Sequence, residues 1–334
     1  MRNSDTLMVP HLPPGFIWIY RFDAEGRPQS VASTIPPELD AIETGFYWLH
    51  INIADMRVRG WLEDAPLPAA VKAGLVSMTD HQHVETADDF IWGCFVDQTR
   101  EVHGGSDGVD FFRFALCDRF LLSARRQPLN CADATRGTLD SGKRMIGTAH
   151  LFETIAGHAV GAFARRVTEL SKGLEAIEDR VLDDELHDER QRLGPLRRDA
   201  VRLHRQLTGL QSIFARLEET SAEEAKDDVR ESATRLSQRV EALHLEIYSA
   251  QERARLLKDE ISDKIAGETN RHLFVLTVLT TLVLPPTVVA GIFGMNTKNL
   301  FFSESDNGTI YAMLLCMLAS AAAYWIMRRW GVLR

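Results

Sequence analysis

The chain has 334 residues, a quarter of them charged, with 47 Asp and Glu against 38 Lys and Arg and a formal net charge of −9. This acidic balance argues against nucleic acid as a partner and fits a surface that attracts cations, plain solubility being the simpler reading. The four cysteines form no C-x-x-C pair, and Cys316 lies in an apolar run, so neither a disulfide framework nor a cysteine zinc site is suggested.

Met1-Arg2-Asn3-Ser4-Asp5 runs into Pro-rich sequence with no basic segment followed by a short apolar core, so no cleavable signal peptide is expected. Residues 1–148 read as an α/β domain. Short β-branched and aromatic runs predict strands over Phe16–Phe22, Tyr47–Ile53, Phe90–Val96, Gly108–Ala115 and Arg119–Ser123. Met56–Leu62 and Leu67–Leu75 read as helices. Gly104-Gly105-Ser106-Asp107-Gly108 reads as a turn rather than a phosphate cradle, and no nucleophile elbow is present, which makes an enzyme the weakest class. Asp80-His81-Gln82-His83-Val84-Glu85 is the densest histidine cluster. His81, His83 and Glu85 offer the mixed nitrogen and oxygen ligands that suit zinc, with both rings on one side if the segment is extended. A polar loop is the simpler reading, because spacing fixes no third ligand.

From residue 149 the pattern changes to long helices. Val167, Leu170, Leu174, Ile177 and Val181 alternate steps of three and four, and after a break expected at Gly194-Pro195 the series Leu196, Ala200, Leu203, Leu207, Leu210, Phe214 and Leu217 resumes it, giving a helical hairpin over 149–221. Over 222–272 a third series, Val229 through Ile261, steps 4-3-4-3 throughout, the seam of a left-handed coiled packing. No Gly or Pro interrupts Thr269-Asn270-Arg271-His272, so Ala222 to about Asn296 reads as one helix. Acidic clusters near Asp183 and Glu223 read as solvated faces, with ion gathering as the alternative.

Residues 273–296 form the first apolar span; about 21 of them, Leu273 to Phe293, carry no charge, enough at ~1.5 Å per residue to cross roughly 30 Å of hydrocarbon. A polar loop, 297–309, separates it from a second span at 310–328 and a tail at 329–334. Lys264 and Arg271 precede the first span, Arg328, Arg329 and Arg334 follow the second, and the loop sets Lys298 against Glu304 and Asp306, so both ends are expected in the cytoplasm. Pro285 and Pro286 break the ladder in mid-span, which lipid tolerates only where a neighbouring helix or a wet cavity satisfies the freed carbonyls. Thr287, Leu284, Thr280, Thr277, Leu276 and Leu273 fall on one broad face, fit for a narrow conduit of polar rings and apolar constrictions. Threonines bonded to their own i−4 carbonyls on a helix-contact face are the plainer alternative. Glu268 and His272 lie at the inner end of this span, where the histidine can bind metal, exchange protons or sit at the interface.

Leu284-Pro285-Pro286-Thr287-Val288-Val289-Ala290-Gly291-Ile292-Phe293-Gly294-Met295-Asn296, closing the first of two C-terminal spans behind a long heptad helix, resembles the CorA family of divalent-cation channels and transporters. The resemblance implies a funnel-like homopentamer in which an α/β cytosolic domain leads through long α-helices into two transmembrane α-helices. The first span of each copy then lines the pore, with Gly-Met-Asn at the outer mouth. Trp48-Leu49-His50-Ile51-Asn52, Asp118 to Arg125 and Leu174 to Asp179 are similar to the zinc-transporting ZntB branch. Thr297 stands where magnesium-type members usually have Phe, and their Met-Pro-Glu-Leu loop stretch is missing, whereas Met295 stands where the zinc branch often carries Val.

The resemblance therefore implies a bacterial inner-membrane zinc transporter with Gly294, Met295 and Asn296 as filter, Thr287 and Thr280 as polar rings, and Leu284, Leu276 and Leu273 as constrictions. Neutral oxygens at such a filter recognise a hydrated divalent ion and still release it. Glu304 and Asp306 in the outer loop would concentrate cations. The expected partners are copies of the same chain, divalent cations and the lipid bilayer, with no nucleic acid and no resident cofactor; proton coupling is left open. The alternatives are a magnesium, cobalt or nickel channel of the same fold, gated by cytosolic metal, and a membrane-anchored signalling protein.

Overall fold

The computed structural model describes residues 12–78, 81–99, 108–184, 188–220, 227–295 and 307–331. Seven strands, β1 (Phe16–Phe22), β2 (Pro28–Ser30), β3 (Phe46–Asn52), β4 (His83–Ala87), β5 (Phe90–Gln98), β6 (Val109–Leu116) and β7 (Phe120–Arg125), form one sheet in the order β2-β1-β3-β7-β6-β5-β4. Only the central β3–β7 pair among these is parallel; β6 and β7 form a hairpin around Cys117-Asp118-Arg119. Because side chains alternate along a strand, each strand serves both faces of the sheet. One face carries Ile19, Leu49, Ile51, Leu122 and Ala124 against Val58 and Leu62 of α1 (Met56–Asp64) and Val71 and Leu75 of α2 (Ala69–Val76).

The other face is rich in rings and polar groups and meets α3 (Asn130–Asp140) and α4 (Thr148–Leu182). Phe95 and Phe114 pack on Phe152 of α4, with centroids 6.4 and 4.7 Å away. Trp48 Nε1 donates to Ser123 Oγ at 2.8 Å, and His50 Nδ1 lies 2.7 Å from the same hydroxyl. Trp18 stacks on His50 at 4.2 Å, Arg125 pairs with Asp133 at 3.2 Å, and the Tyr20 hydroxyl donates to Asp140 at 2.6 Å. Burial, reinforced by the Asp140 carboxylate, pushes the Tyr20 phenol up to about 12.

Besides the short edge strand β2, three elements depart from the sequence expectation. The His81–Glu85 segment is not a loop: it runs into β4, an edge strand whose partner is β5. α3 was not foreseen, because it buries only Cys131, Ala132, Thr135 and Leu139 of 11 residues and shows no sustained apolar period. The hairpin turns near Asp183 and Asp184, not at Gly194-Pro195: α5 (Glu189–Glu219) begins before Pro195 and passes through it. Asp184 takes a positive φ of 60°, ending α4 in the left-handed region that a short polar side chain tolerates. Pro195 lies in the second turn, and the Gln191 carbonyl it would have bonded is on an exposed residue, where water replaces the lost donor.

α6 (Asp227–Gly294) is a single helix of 68 residues, about 100 Å at ~1.5 Å rise. Its seam is buried from Val229 through Ala254, with Ala233, Val240 and Ile247 fully covered. Polar contacts flank the seam: Arg235 forms a two-pronged pair with Glu153 at 2.8 and 2.7 Å, Arg253 reaches Glu178 at 2.7 Å, and Gln251 donates to the Ala200 carbonyl at 3.1 Å. In the hairpin Glu189, 2% exposed, pairs with Arg180 at 2.9 Å. Several acids of the clusters are thus committed to arginines. α7 (Gly308–Arg329) completes the chain. Internal contacts divide the molecule into Met1–Leu256 and Leu257–Arg334, with α6 running through the division.

Candidate functional site

Both α6 and α7 contain windows long and apolar enough to cross a membrane, and within one chain those windows are 0% and 6% buried, respectively. Apolar surface left this bare in a single copy must be covered by lipid or by further copies. The half-buried residues of α6 in this region are Val278, Thr281, Leu282, Pro285, Pro286, Val289 and Phe293, recurring at helical spacing. On α7 the matching stripe is Ala312, Cys316, Ala319, Ser320 and Ala323, small residues that let two backbones approach closely, followed by the buried Met327.

This contact also answers the problem the prolines create. Pro286 has no N–H to give to the carbonyl of Leu282, four residues earlier. The Ser320 hydroxyl of α7 donates to that carbonyl at 3.4 Å, and the Cys316 thiol donates to the Pro286 carbonyl at 3.6 Å. α6 passes through both prolines as a helix, and the donor missing at Pro286 is replaced from its neighbour. Sequence reading missed Ser320 and Cys316, since nothing along the chain links them to the prolines.

Leu273, Leu276, Thr277, Thr280, Leu284 and Thr287 are all exposed. At about 100° per residue their stripe lies roughly half a turn from the stripe that holds α7, so they form the side of α6 left free for other occupants. The threonine hydroxyls each donate to an i−4 carbonyl: Thr277 to Leu273 at 2.8 Å, Thr280 to Leu276 at 2.8 Å and Thr287 to Val283 at 2.7 Å. These bonds are those of the plainer alternative for the threonines; the helix contact paired with them there is not made by α7 within one chain. A hydroxyl that has given its proton to the backbone presents lone pairs outward, which suits a passing cation or its water.

α6 ends at Gly294, where an added Cβ would meet no atom within 4 Å, so the backbone there is open to approach. Met295 follows, 58% exposed. Asn296, Thr297, Lys298, Glu304 and Asp306 lie outside the described residues. Glu268 and His272 are exposed on α6 before the apolar segment. In the α/β domain the His81 and His83 rings do lie on one side, 5.4 Å apart, while Glu85 stands further along β4 opposite Trp92. Among the described residues no three His, Cys, Asp or Glu side chains are already gathered as a metal site.

A seven-stranded α/β domain, a helical hairpin and a 68-residue helix whose apolar end pairs with a second apolar helix, giving two candidate membrane spans, are the architecture that the family match below assigns to the metal-transporter class. The chain belongs to the CorA-like Mg2+ transporter protein family, which matches residues 43–329. It is a divalent-metal transporter and not an enzyme. The zinc transport protein ZntB of Yersinia pseudotuberculosis is 23% identical over 320 residues, covering 93% of this chain and 94% of its own. Full-length CmaX superposes with a TM-score of 0.80 at 21% identity, over 96% of this chain and 98% of that one. The complete CorA magnesium transporter of Methanocaldococcus jannaschii gives 0.77 at 18% identity, over 95% and 99%. The fold is therefore CorA-like along its whole length.

Proposed function

We propose that the protein carries zinc across the bacterial inner membrane through a pore lined by the exposed face of α6 in a homopentamer, with both termini in the cytoplasm. The observation that carries this reading is the opposition of the two stripes: α7 occupies one side of α6, and the side with Leu273, Leu276, Thr280, Leu284 and Thr287 is bare. Five copies around an axis would turn those residues inward as alternating polar and apolar rings. Gly294, Met295 and Asn296 would then form the outer filter, and Glu304 and Asp306 would raise the local cation concentration. The similarity to ZntB favours zinc; the family's magnesium transporters supply the alternative cargo.

Zinc uptake by proteoliposomes tests the reading. Asn296→Ala is expected to lower uptake at least tenfold, and equal flux through both proteins would remove the filter from the mechanism. Excess magnesium is expected to compete weakly with zinc; strong competition would move the assignment to magnesium. The same uptake with and without an imposed pH gradient separates passive from proton-coupled flux. The apolar segment from Leu273 to Phe293 holds no ionisable side chain, which leaves His272 at its inner end as the group to examine.

A further inference from the structure

Gln82 fixes the start of β4 in an unusual way. Its amide donates to the Gln206 carbonyl of α5 at 2.9 Å and accepts from the Val96 N–H of β5 at 3.2 Å. With Gln82 committed to that side, alternation along an extended segment turns His81 and His83 together to the other. The cross-strand partner of His83 is Cys94. Cys94 Sγ lies 3.4 Å from His83 Nδ1 and 3.3 Å from the His81 carbonyl, to which the thiol donates, and the His81 ring stands 5.4 Å from that of His83. His81 is exposed, His83 half-buried and Cys94 2% exposed, so the three side chains descend from solvent to the sheet.

We infer that Cys94, His83 and His81 form a cytosolic zinc site on the edge of the sheet, separate from the pore. A tetrahedral zinc with bonds of about 2.3 Å to sulfur and about 2.05 Å to nitrogen holds the two ligand atoms roughly 3.6 Å apart. The observed 3.4 Å places Cys94 and His83 at that span. His81, exposed and with its ring 5.4 Å from that of His83, would have to turn toward the sulfur to serve as third ligand, with water completing the coordination. Arg113, opposite Cys94 on β6, gives its protons to the Ser77 carbonyl at 3.2 Å and the Phe111 carbonyl at 3.0 Å, and its charge favours the thiolate. Burial otherwise pushes the Cys94 thiol up to about 11, so the metal must displace the thiol proton to water on binding. Soft sulfur with imidazole selects zinc over magnesium, which prefers oxygen.

The inference stands apart from the pore reading, and its test keeps the two separate. The full chain in detergent is titrated with Co2+, whose bond to a thiolate gives an intense near-ultraviolet charge-transfer band, in wild type and in Asn296→Ala. One equivalent should develop the band in both proteins, and Zn2+ should abolish it. Cys94→Ser should remove the band, His83→Gln and His81→Gln should each weaken Co2+ binding at least tenfold, and Cys117→Ser should leave it unchanged. Circular dichroism confirms the fold of each variant, and the exposed His81 keeps the test valid should Cys94→Ser misfold. No band in the wild type, or a band that survives Cys94→Ser or His81→Gln at full affinity, would overturn the site.

Discussion

His50 has no exposed surface, Trp18 is stacked against its ring, and its Nε2 has no hydrogen-bond partner, so taking up a proton there means burying an unsolvated charge. Burial first, and the charge of Arg125 second, hold its pKa well below the ordinary histidine value. A depressed histidine binds fewer protons folded than unfolded, so its contribution to stability is present above about pH 6.5 and is lost as the pH falls below it. The unfolding midpoint is therefore expected to drop between pH 7 and pH 5. His50→Phe, which keeps a ring beside Trp18, should remove up to about 1.4 kcal/mol per pH unit of that slope. His150, His158 and His204, also depressed by burial, supply the remainder. Thermal unfolding of both proteins across this range checks it, and an unchanged slope would mean that His50 is protonated in the fold. In the sequence Trp48-Leu49-His50-Ile51-Asn52 is part of a predicted strand and of a family likeness; the role of His50 as a buried polar anchor with Ser123 becomes visible once β3 and β7 are side by side.

Among elements, those with a sustained period were legible. β1 is marked by an aromatic and β-branched run because both of its faces are largely buried, and the seam of α6 is marked by steps of three and four because one of its faces is buried continuously. β2 is three residues at the sheet edge, two of them exposed, and leaves no such mark. β4 presents His83, Glu85 and Thr86 and reads as polar, since an edge strand is held by backbone pairing with β5 rather than by apolar side chains. Pro195 misled because a proline disfavours a helix by its lost donor, a cost that water removes at an exposed turn. The α6 seam permits a sharp contrast. Ile247 is fully buried and Leu245, two residues away, is 67% exposed. Ile247→Ala should destabilise the protein by about 2 to 5 kcal/mol, and Leu245→Ala by no more than about 0.5 kcal/mol. Denaturant unfolding that found similar losses for both would displace the seam from that register.

For the whole molecule the question is what covers the apolar parts of α6 and α7, which cover so little of each other. The end of the apolar span was legible because Gly294-Met295-Asn296 closes an uncharged run, and α6 stops at Gly294; which side of that span meets α7 was not, because periodicity alone cannot tell one face of an apolar helix from another. Ser320 at the Leu282 carbonyl supplies the missing direction. If lipid alone covered the opposite face, a polar substitution there would only cost insertion energy, and a single copy would be functional. If five copies meet around an axis, native mass spectrometry in detergent should return a pentamer, and Leu284 should act as an apolar ring that impedes hydrated ions. Leu284→Ser is then expected to raise zinc flux several-fold. Val289→Ser, on the half-buried side toward α7, should weaken helix packing without raising flux. Equal effects at the two positions, or full transport by a stable monomer, would show that ions do not pass along the face of α6 turned away from α7.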